Sequence, residues 1–199
     1  MLSFILCFTF KKEFGADWVL LFRHNSTGGV MFSNLDEAKN CDLPQKYSII
    51  GNITNNSQID GKFEFLLEYP GTSGYNRWKQ TNFPLWEPET GNLATGFEAI
   101  NLTWTGNSFG GLFKSKQTAT LLDGSRGDSL WYYAIGTIAN SWSSSYCSPA
   151  GHCFPGSTSS TKCVVLWMRV REGPYYNTKA NKVKSRLLIN LLYGYFVLT

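Results

Sequence analysis

The sequence predicts one all-β domain, a sandwich or jelly-roll-like fold with a single short helix near its start. Three observations predict it. Aromatic residues make up 16% of the 199-residue chain, and charged residues also only 16%, against about 25% charged in ordinary soluble domains. Nineteen glycines supply turn positions without any low-complexity tract. Short runs rich in aromatic and β-branched residues end at Gly, Pro, Asn, Asp or Ser, the pattern of strands in a sandwich or barrel. A chain of this length fits one domain and can bury about 70% of the surface it exposes when unfolded. It needs no metal or disulfide merely to own a core.

The elements follow in chain order. Residues 1–14 open with the apolar run "MLSFILCFTF", and the charges Lys11 and Lys12 come after it. A signal peptide carries its charge first and a small-residue cleavage site last, so this segment reads as a truncated signal, a strand, or an artefact of the gene start. Residues 15–175 form the predicted recognition domain. Its strands are "DWVLLFR" (17–23), "KFEFLLEY" (62–69), "NRWKQT" (76–81), "FEAINLTW" (97–104), "TATLL" (118–122), "LWYYAIGT" (130–137) and "KCVVLWMRV" (162–170). Simple alternation puts Phe97, Ala99, Asn101 and Thr103 on one face. The helix is "SNLDEAKN" (33–40), with Ser33 as N-cap, Asp36 and Glu37 in its first turn and Lys39 near its end, as capping and dipole rules favour. Pro84 and Pro88 force a loop. Residues 176–199 are basic and then apolar for about twelve residues, short of the ~20 that span a bilayer, so no membrane anchor is expected.

Charge excludes one partner class. The net charge of +4 comes from Lys179, Lys182, Lys184 and Arg186 in the tail; elsewhere the basic residues balance the 14 acidic ones. A neutral body lacks the electrostatic footprint that binds phosphate backbones, so nucleic acid is not an expected partner. Cys41, Cys147, Cys153 and Cys163 lie within the domain, and N-x-S/T sequons stand at Asn25, Asn52, Asn55 and Asn101. Together these predict an extracellular or cell-surface glycoprotein with disulfides. Cys147 would close on Cys153 and Cys41 on Cys163, although four cysteines allow three pairings. A zinc site built from these cysteines and His152 is disfavoured, because adjacent His152 and Cys153 ligate one ion awkwardly. No metal or cofactor is expected.

The order "WVLLFRH…GGVMF…EA" (18–38), "KYSII" (46–50), "GKFEFLLEYP" (61–70), "NRWKQT", "GFEAI" (96–100), "FGGL" (109–112), "LDGS" (122–125), "WYYAIG" (131–136) and "VVLWMRV" (164–170) resembles a group of secreted or surface proteins of invertebrates. The resemblance brings no catalytic residue with it. Trp18 to Phe32 also resembles the opening of fibrinogen-related lectin domains, but their calcium loop and terminal cysteine pair are missing. That resemblance implies a binding role on glycans or matrix, and an α+β fibrinogen-like fold as the alternative architecture.

Catalytic constellations are sparse. The two histidines, His24 and His152, sit in turn-like settings. No G-x-S-x-G elbow surrounds a serine, no phosphate-cradling loop appears, and Glu87 and Glu89 alternate on a Pro-rich loop. Aromatic side chains are the better clue, since sugar C–H faces stack on them while nearby polar groups take hydroxyls. Trp78, Trp86 and Trp142 lie in polar or loop contexts and are the predicted ligand-binding residues; Trp18, Trp131 and Trp167 lie in apolar strands and are assigned to the core. Arg126, Gly127 and Asp128 form an Arg-Gly-Asp tripeptide between two predicted strands, at the loop of a hairpin where binding residues are commonly placed. The sequence thus predicts a non-enzymatic recognition module for carbohydrate or extracellular matrix. The alternatives are an adhesion protein engaging an integrin-type receptor through the Arg-Gly-Asp loop, and a glycan hydrolase, which needs two carboxyl groups about 5–10 Å apart.

Overall fold

The computed structural model describes residues 9–86, 93–116, 120–124, 133–138, 152–153 and 160–171. Its strands are β1 (Phe10–Glu13), β2 (Ala16–Asn25), β3 (Cys41–Asp42), β4 (Lys46–Ser48), β5 (Phe63–Glu68), β6 (Tyr75–Gln80), β7 (Glu98–Leu102), β8 (Phe113–Lys114), β9 (Thr120–Asp123), β10 (Ile135–Thr137), β11 (His152–Cys153), β12 (Ser160–Thr161) and β13 (Cys163–Val170). A large sheet runs β3-β4-β2-β13-β5-β6-β7, with β1 also paired to β2; β10-β9-β8 form a second sheet and β11-β12 a small ribbon. All these strand pairs are antiparallel. The fold is therefore all-β and sandwich-like.

Two bulges decide which side chains face inward. Trp167 pairs with Leu20 and Leu166 with Phe22, so Leu21 is an extra residue on β2. Paired residues share a face, and a bulge reverses the phase of its strand. Trp18 and Leu20 therefore lie with Trp167 on the outer face, whereas Phe22 and His24 lie with Leu166 and Val164 on the inner one. In β7, Asn101 pairs with Arg77 and Ala99 with Trp78, leaving Ile100 extra. Ala99 and Asn101 thus fall on opposite faces, which corrects the single face predicted by plain alternation.

The inner face of the large sheet carries Phe22, Phe63, Phe65, Leu67, Trp78, Leu166 and Met168, all buried in one cluster with Phe109, Leu112, Leu121, Tyr133 and Ile135 from the opposite layer. Trp78 meets Phe109 edge-on at 5.0 Å, and Phe109 meets Tyr133 at 4.6 Å, geometries that aromatic quadrupoles favour. The helix, α1 (Leu35–Lys39), buries Ala38 and packs on β9 and β10. Gly136 is required where β10 meets β9: its φ is +76°, and an added Cβ would lie 2.8 Å from that of Leu121. Asn34, not Ser33, is the N-cap, its side chain accepting from the Glu37 N–H at 2.9 Å. Ser33 instead donates its backbone N–H to the Glu37 carboxylate at 2.6 Å, so the predicted cap lies one residue early.

Two polar residues pin the layers together. Gln80 is fully buried. Its Oε1 accepts from Trp78 Nε1 at 2.8 Å and from the Leu112 N–H at 3.2 Å, while its Nε2 donates to the carbonyls of Asn82 at 2.8 Å and Leu112 at 3.1 Å. Every hydrogen-bonding site of the amide is used. Asn76 likewise donates to the Trp104 carbonyl and accepts its N–H, at 2.8 and 2.9 Å. Gln80→Leu keeps the volume but strands four partners, three of them buried, so it is expected to lower unfolding free energy by roughly 3 kcal/mol or more; urea unfolding midpoints measure it, and a loss under about 1 kcal/mol would contradict the role assigned to the amide.

Candidate functional site

Of the predicted ligand-binding tryptophans, Trp78 and Trp86 do not share a groove. Trp78 is fully buried on the inner face, because its polar strand neighbours Asn76 and Gln80 also point inward and spend their amides on backbone. That corrects its assignment as a ligand contact. Trp86 is 44% exposed but packs on Phe63 and Phe83, at 5.7 and 5.3 Å between ring centroids, where it rims the core. Trp142 lies outside the described residues, as do Trp131, Glu87, Glu89, Cys7, Cys147, residues 1–8 and the tail 176–199. Arg126, Gly127 and Asp128 lie outside them too. The flanking strands β9 and β10 are antiparallel neighbours.

The outer face of the large sheet is where aromatic and polar chemistry converge. β1 and β2 are joined by a two-residue turn, Phe14-Gly15, with φ of +53° and +68°. Positive φ at both central residues marks a type I′ hairpin, whose usual first residue is Asn, Asp or Gly. Phe14 there is an outlier for a bulky side chain, and it remains 41% exposed. Its ring lies 5.0 Å from that of Tyr75, tilted by 47°, and 6.5 Å from that of Trp18. The Arg77 guanidinium sits 5.0 Å from the Phe14 ring and 5.4 Å from the Trp18 ring, within cation–π range.

Charges beneath these rings are paired rather than free. The Glu64 side chain is only 2% exposed; its Oε1 accepts from Arg77 Nε at 2.8 Å and Nη2 at 2.6 Å, and its Oε2 from Arg169 Nη1 at 2.9 Å. Burying a carboxylate is tolerable only with such partners. Four residues along the same strand, Glu68 accepts from Lys11 at 2.9 Å and from Trp167 Nε1 at 2.6 Å. Lys11 also lies over the Trp167 ring at 4.7 Å. Trp167 is half-buried on this face, which corrects its assignment to the core; it alternates along β13 with the inward-facing Leu166 and Met168. Asn101 is exposed here, donating from Nδ2 to the Tyr75 hydroxyl at 3.1 Å. At one end the face opens into a cleft of about 380 Å³ lined by Ala16, Ile59, Arg169, Val170 and Arg171.

The cysteines and sequons are placed as follows. Cys41 and Cys163 are free and half-buried, so the predicted Cys41–Cys163 bridge does not form. Cys41 lies on β3 and Cys163 on β13, with β4 and β2 between them; three strand spacings of about 4.8 Å exceed the ~7 Å that a disulfide spans between Cα atoms. Of Cys153 and His152 only the strand position is described. Asn25 is half-buried, its side chain accepting from the Thr27 N–H at 3.0 Å. Asn52 is half-buried and ends a 3₁₀ turn that Asn55 follows by starting another. Among the described residues no cluster of His, Cys, Asp and Glu could hold a metal ion.

A second group of titratable side chains gathers beside α1. Lys46 reaches Glu37 and the Met31 carbonyl. Burial raises the Glu37 carboxyl, but the Lys46 ammonium and the Ser33 N–H outweigh it and hold it down at about 2. Burial, then the Glu37 charge, pushes the Cys41 thiol up, so Cys41 lacks the thiolate character of a nucleophile. Burial pushes the Cys163 thiol up as well, against the nearby Arg23. His24 is fully buried between Phe22 and Phe32, with Nε2 donating to the Val30 carbonyl at 2.9 Å. Burial lowers its pKa from 6.5 to about 4, aided by Lys46 and opposed by the Val30 carbonyl and Glu37. It is a core histidine held neutral, not a poised base.

Compared with protein-family models, curated proteins and solved structures, the chain matches none, so its site is read from its own chemistry. The outer face, rather than the tryptophans singled out in the sequence, is the candidate. The signal for it is local: "FG" at a tight turn, and the alternation Tyr75, Arg77, Lys79 opposite Glu64 and Glu68.

Two outcomes follow. Phe14→Asn suits the turn better than the native residue, so the thermal midpoint should hold or rise by about 2–4 °C; a fall of that size would show that the ring contacts outweigh the strain. His24 titrates at 6.5 unfolded and about 4 folded, so the unfolded state binds its proton first as pH falls. Its contribution is intact above 6.5 and is lost on the way down to about 4, amounting to roughly 3 kcal/mol. Urea unfolding from pH 7.5 to 4.5 should show that decline, and a flat profile would refute it. The Glu37 contribution goes only below about 4.5, a separate window.

Proposed function

We propose that this domain is an extracellular, non-enzymatic recognition module that binds carbohydrate through the outer face of its large sheet. The observation that carries the reading is Phe14: an exposed ring kept at positive φ, beside Tyr75 and Arg77, on a face that also presents Asn101 and Trp167. Backbone strain of this kind concentrates at binding sites and persists only where the surroundings hold it. Rings give a sugar its apolar platform, and amide, carboxylate and guanidinium groups around them supply hydroxyl partners. The resemblance to secreted and surface proteins supports the same class. An oxidising compartment would close Cys147 on Cys153, while Cys41 and Cys163, half-buried and raised in pKa, would survive there as unreactive thiols.

The hydrolase alternative draws no support from this face. Glu64 and Glu68 lie four residues apart on one strand, about 13 Å between Cα atoms at strand rise, and each is ion-paired. A glycosidase needs one carboxyl free to carry a proton. No described residue bears on the integrin-type reading.

A glycan array tests the proposal, run with and without calcium. The chain should carry Asn101→Gln so that no attached glycan covers Tyr75. Binding is expected, with Phe14→Asn weakening every hit about tenfold and Trp86→Ala weakening none, since losing one well-packed contact costs ~1–2 kcal/mol. An array silent under both conditions would sink the reading.

A further inference from the structure

The cleft at the end of the outer face differs from the rest of that face in its charge. Arg169 near the end of β13 and Arg171, one residue past that end, line it together with Ala16, Ile59 and Val170. The Arg169 guanidinium stands on the side that bears Glu64, which accepts from its Nη1, and Arg171 meets it at the cleft. Glu64 is shared between Arg77 and Arg169: one negative charge serves two positive ones. Arg171 adds a third positive charge and has no ion pair among the described residues. The Arg169 side chain is one-third exposed, yet its Nε is buried without a hydrogen-bond partner. Asp60, in the turn beside Ile59, is exposed, where solvent screens it. The cleft thus holds surplus positive charge and apolar walls, in about 380 Å³, within the ~300–1,000 Å³ typical of ligand sites.

We propose that this cleft binds an anionic group, a carboxylate or sulfate, carried by a sugar. The guanidinium fork matches both groups, and Ala16, Ile59 and Val170 give the attached ring an apolar floor. The proposal rests on the carbohydrate reading for the identity of the carrier, but not for the anion itself.

Arg171→Gln is the informative variant, because Arg169→Gln also strips a partner from buried Glu64. The full chain and its Arg171→Gln form are titrated with hexasaccharides of chondroitin sulfate, of hyaluronan and of chitin, and with inorganic sulfate while the Arg169 Hε resonance is followed. The expected result is at least about tenfold tighter binding of the acidic hexasaccharides than of the chitin one. That preference should weaken with salt and vanish in Arg171→Gln at an unchanged thermal midpoint. Chondroitin sulfate against hyaluronan then separates sulfate from carboxylate. If no sugar binds but sulfate shifts Arg169 Hε only when Arg171 is present, the anion cleft stands and the carbohydrate reading falls. If the chitin hexasaccharide binds as tightly as the acidic ones, or the preference or the sulfate shift survives Arg171→Gln, the cleft proposal is overturned and the carbohydrate reading is untouched.

Discussion

Leu21 is one residue more than β2 needs to match β13, and much of the molecule follows from that surplus. Before it, Trp18 and Leu20 lie on the outer face; after it, Phe22 and His24 lie on the inner one. The bulge also marks a change of neighbour. β1 pairs with Ala16 to Val19, and β4 with Phe22 to His24. Two short strands thereby share one edge of a ten-residue strand. The Leu21 carbonyl is taken by the Ile49 N–H at 2.9 Å, so the kink leaves that acceptor satisfied, as buried backbone requires. Without the phase change, Trp18 and Phe22 would compete for one face, and either the outer cluster or the core would lose its aromatic anchor.

The two faces then solve the same problem differently. The inner face removes apolar area from water, and the polar groups it carries include Gln80 and Asn76, whose amides are spent on backbone and on the Trp78 indole. That arrangement fixes one register between the layers, since a shift would leave buried donors unpaired. The outer face buries carboxylates instead, under guanidiniums and rings. Its apolar cluster among the described residues is small, made of Ala16, Trp18 and Leu66 with Tyr75 and Trp167 packed against it.

Strands and class were legible in the sequence because strand length, aromatic content and turn residues are local signals. "NRWKQT" became β6 and "KCVVLWMRV" became β13 almost to the residue. Which face each residue takes was not legible. A bulge depends on the partner strand, so "DWVLLFR" shows only a continuous apolar run; Trp167 passes for a core residue because both faces of β13 are rich in large apolar side chains. Trp78 misleads in the opposite direction: polar neighbours usually mean solvent, but here Asn76 and Gln80 find backbone partners about thirty positions away, which no window contains. The Cys41–Cys163 pairing failed for the same reason, because strand order, not spacing, separates them.

A face built only for solubility would leave its charges in water, where surface pairs contribute little. This one desolvates Glu64 to 2% exposure and holds Phe14 in a backbone conformation that costs an L-residue about 1–2 kcal/mol. Neither expense is needed to shield the sheet, since an aliphatic side chain could cover Trp18 and Leu66, and Asn or Gly could make the turn. What the arrangement secures is position. Arg77 is fixed by Glu64 from below and flanked by Phe14 and Trp18, so its guanidinium cannot wander. Rigid aromatic and cationic groups lose less entropy when a partner arrives, which is why stored strain and buried ion pairs on an otherwise open surface argue for recognition rather than for stability.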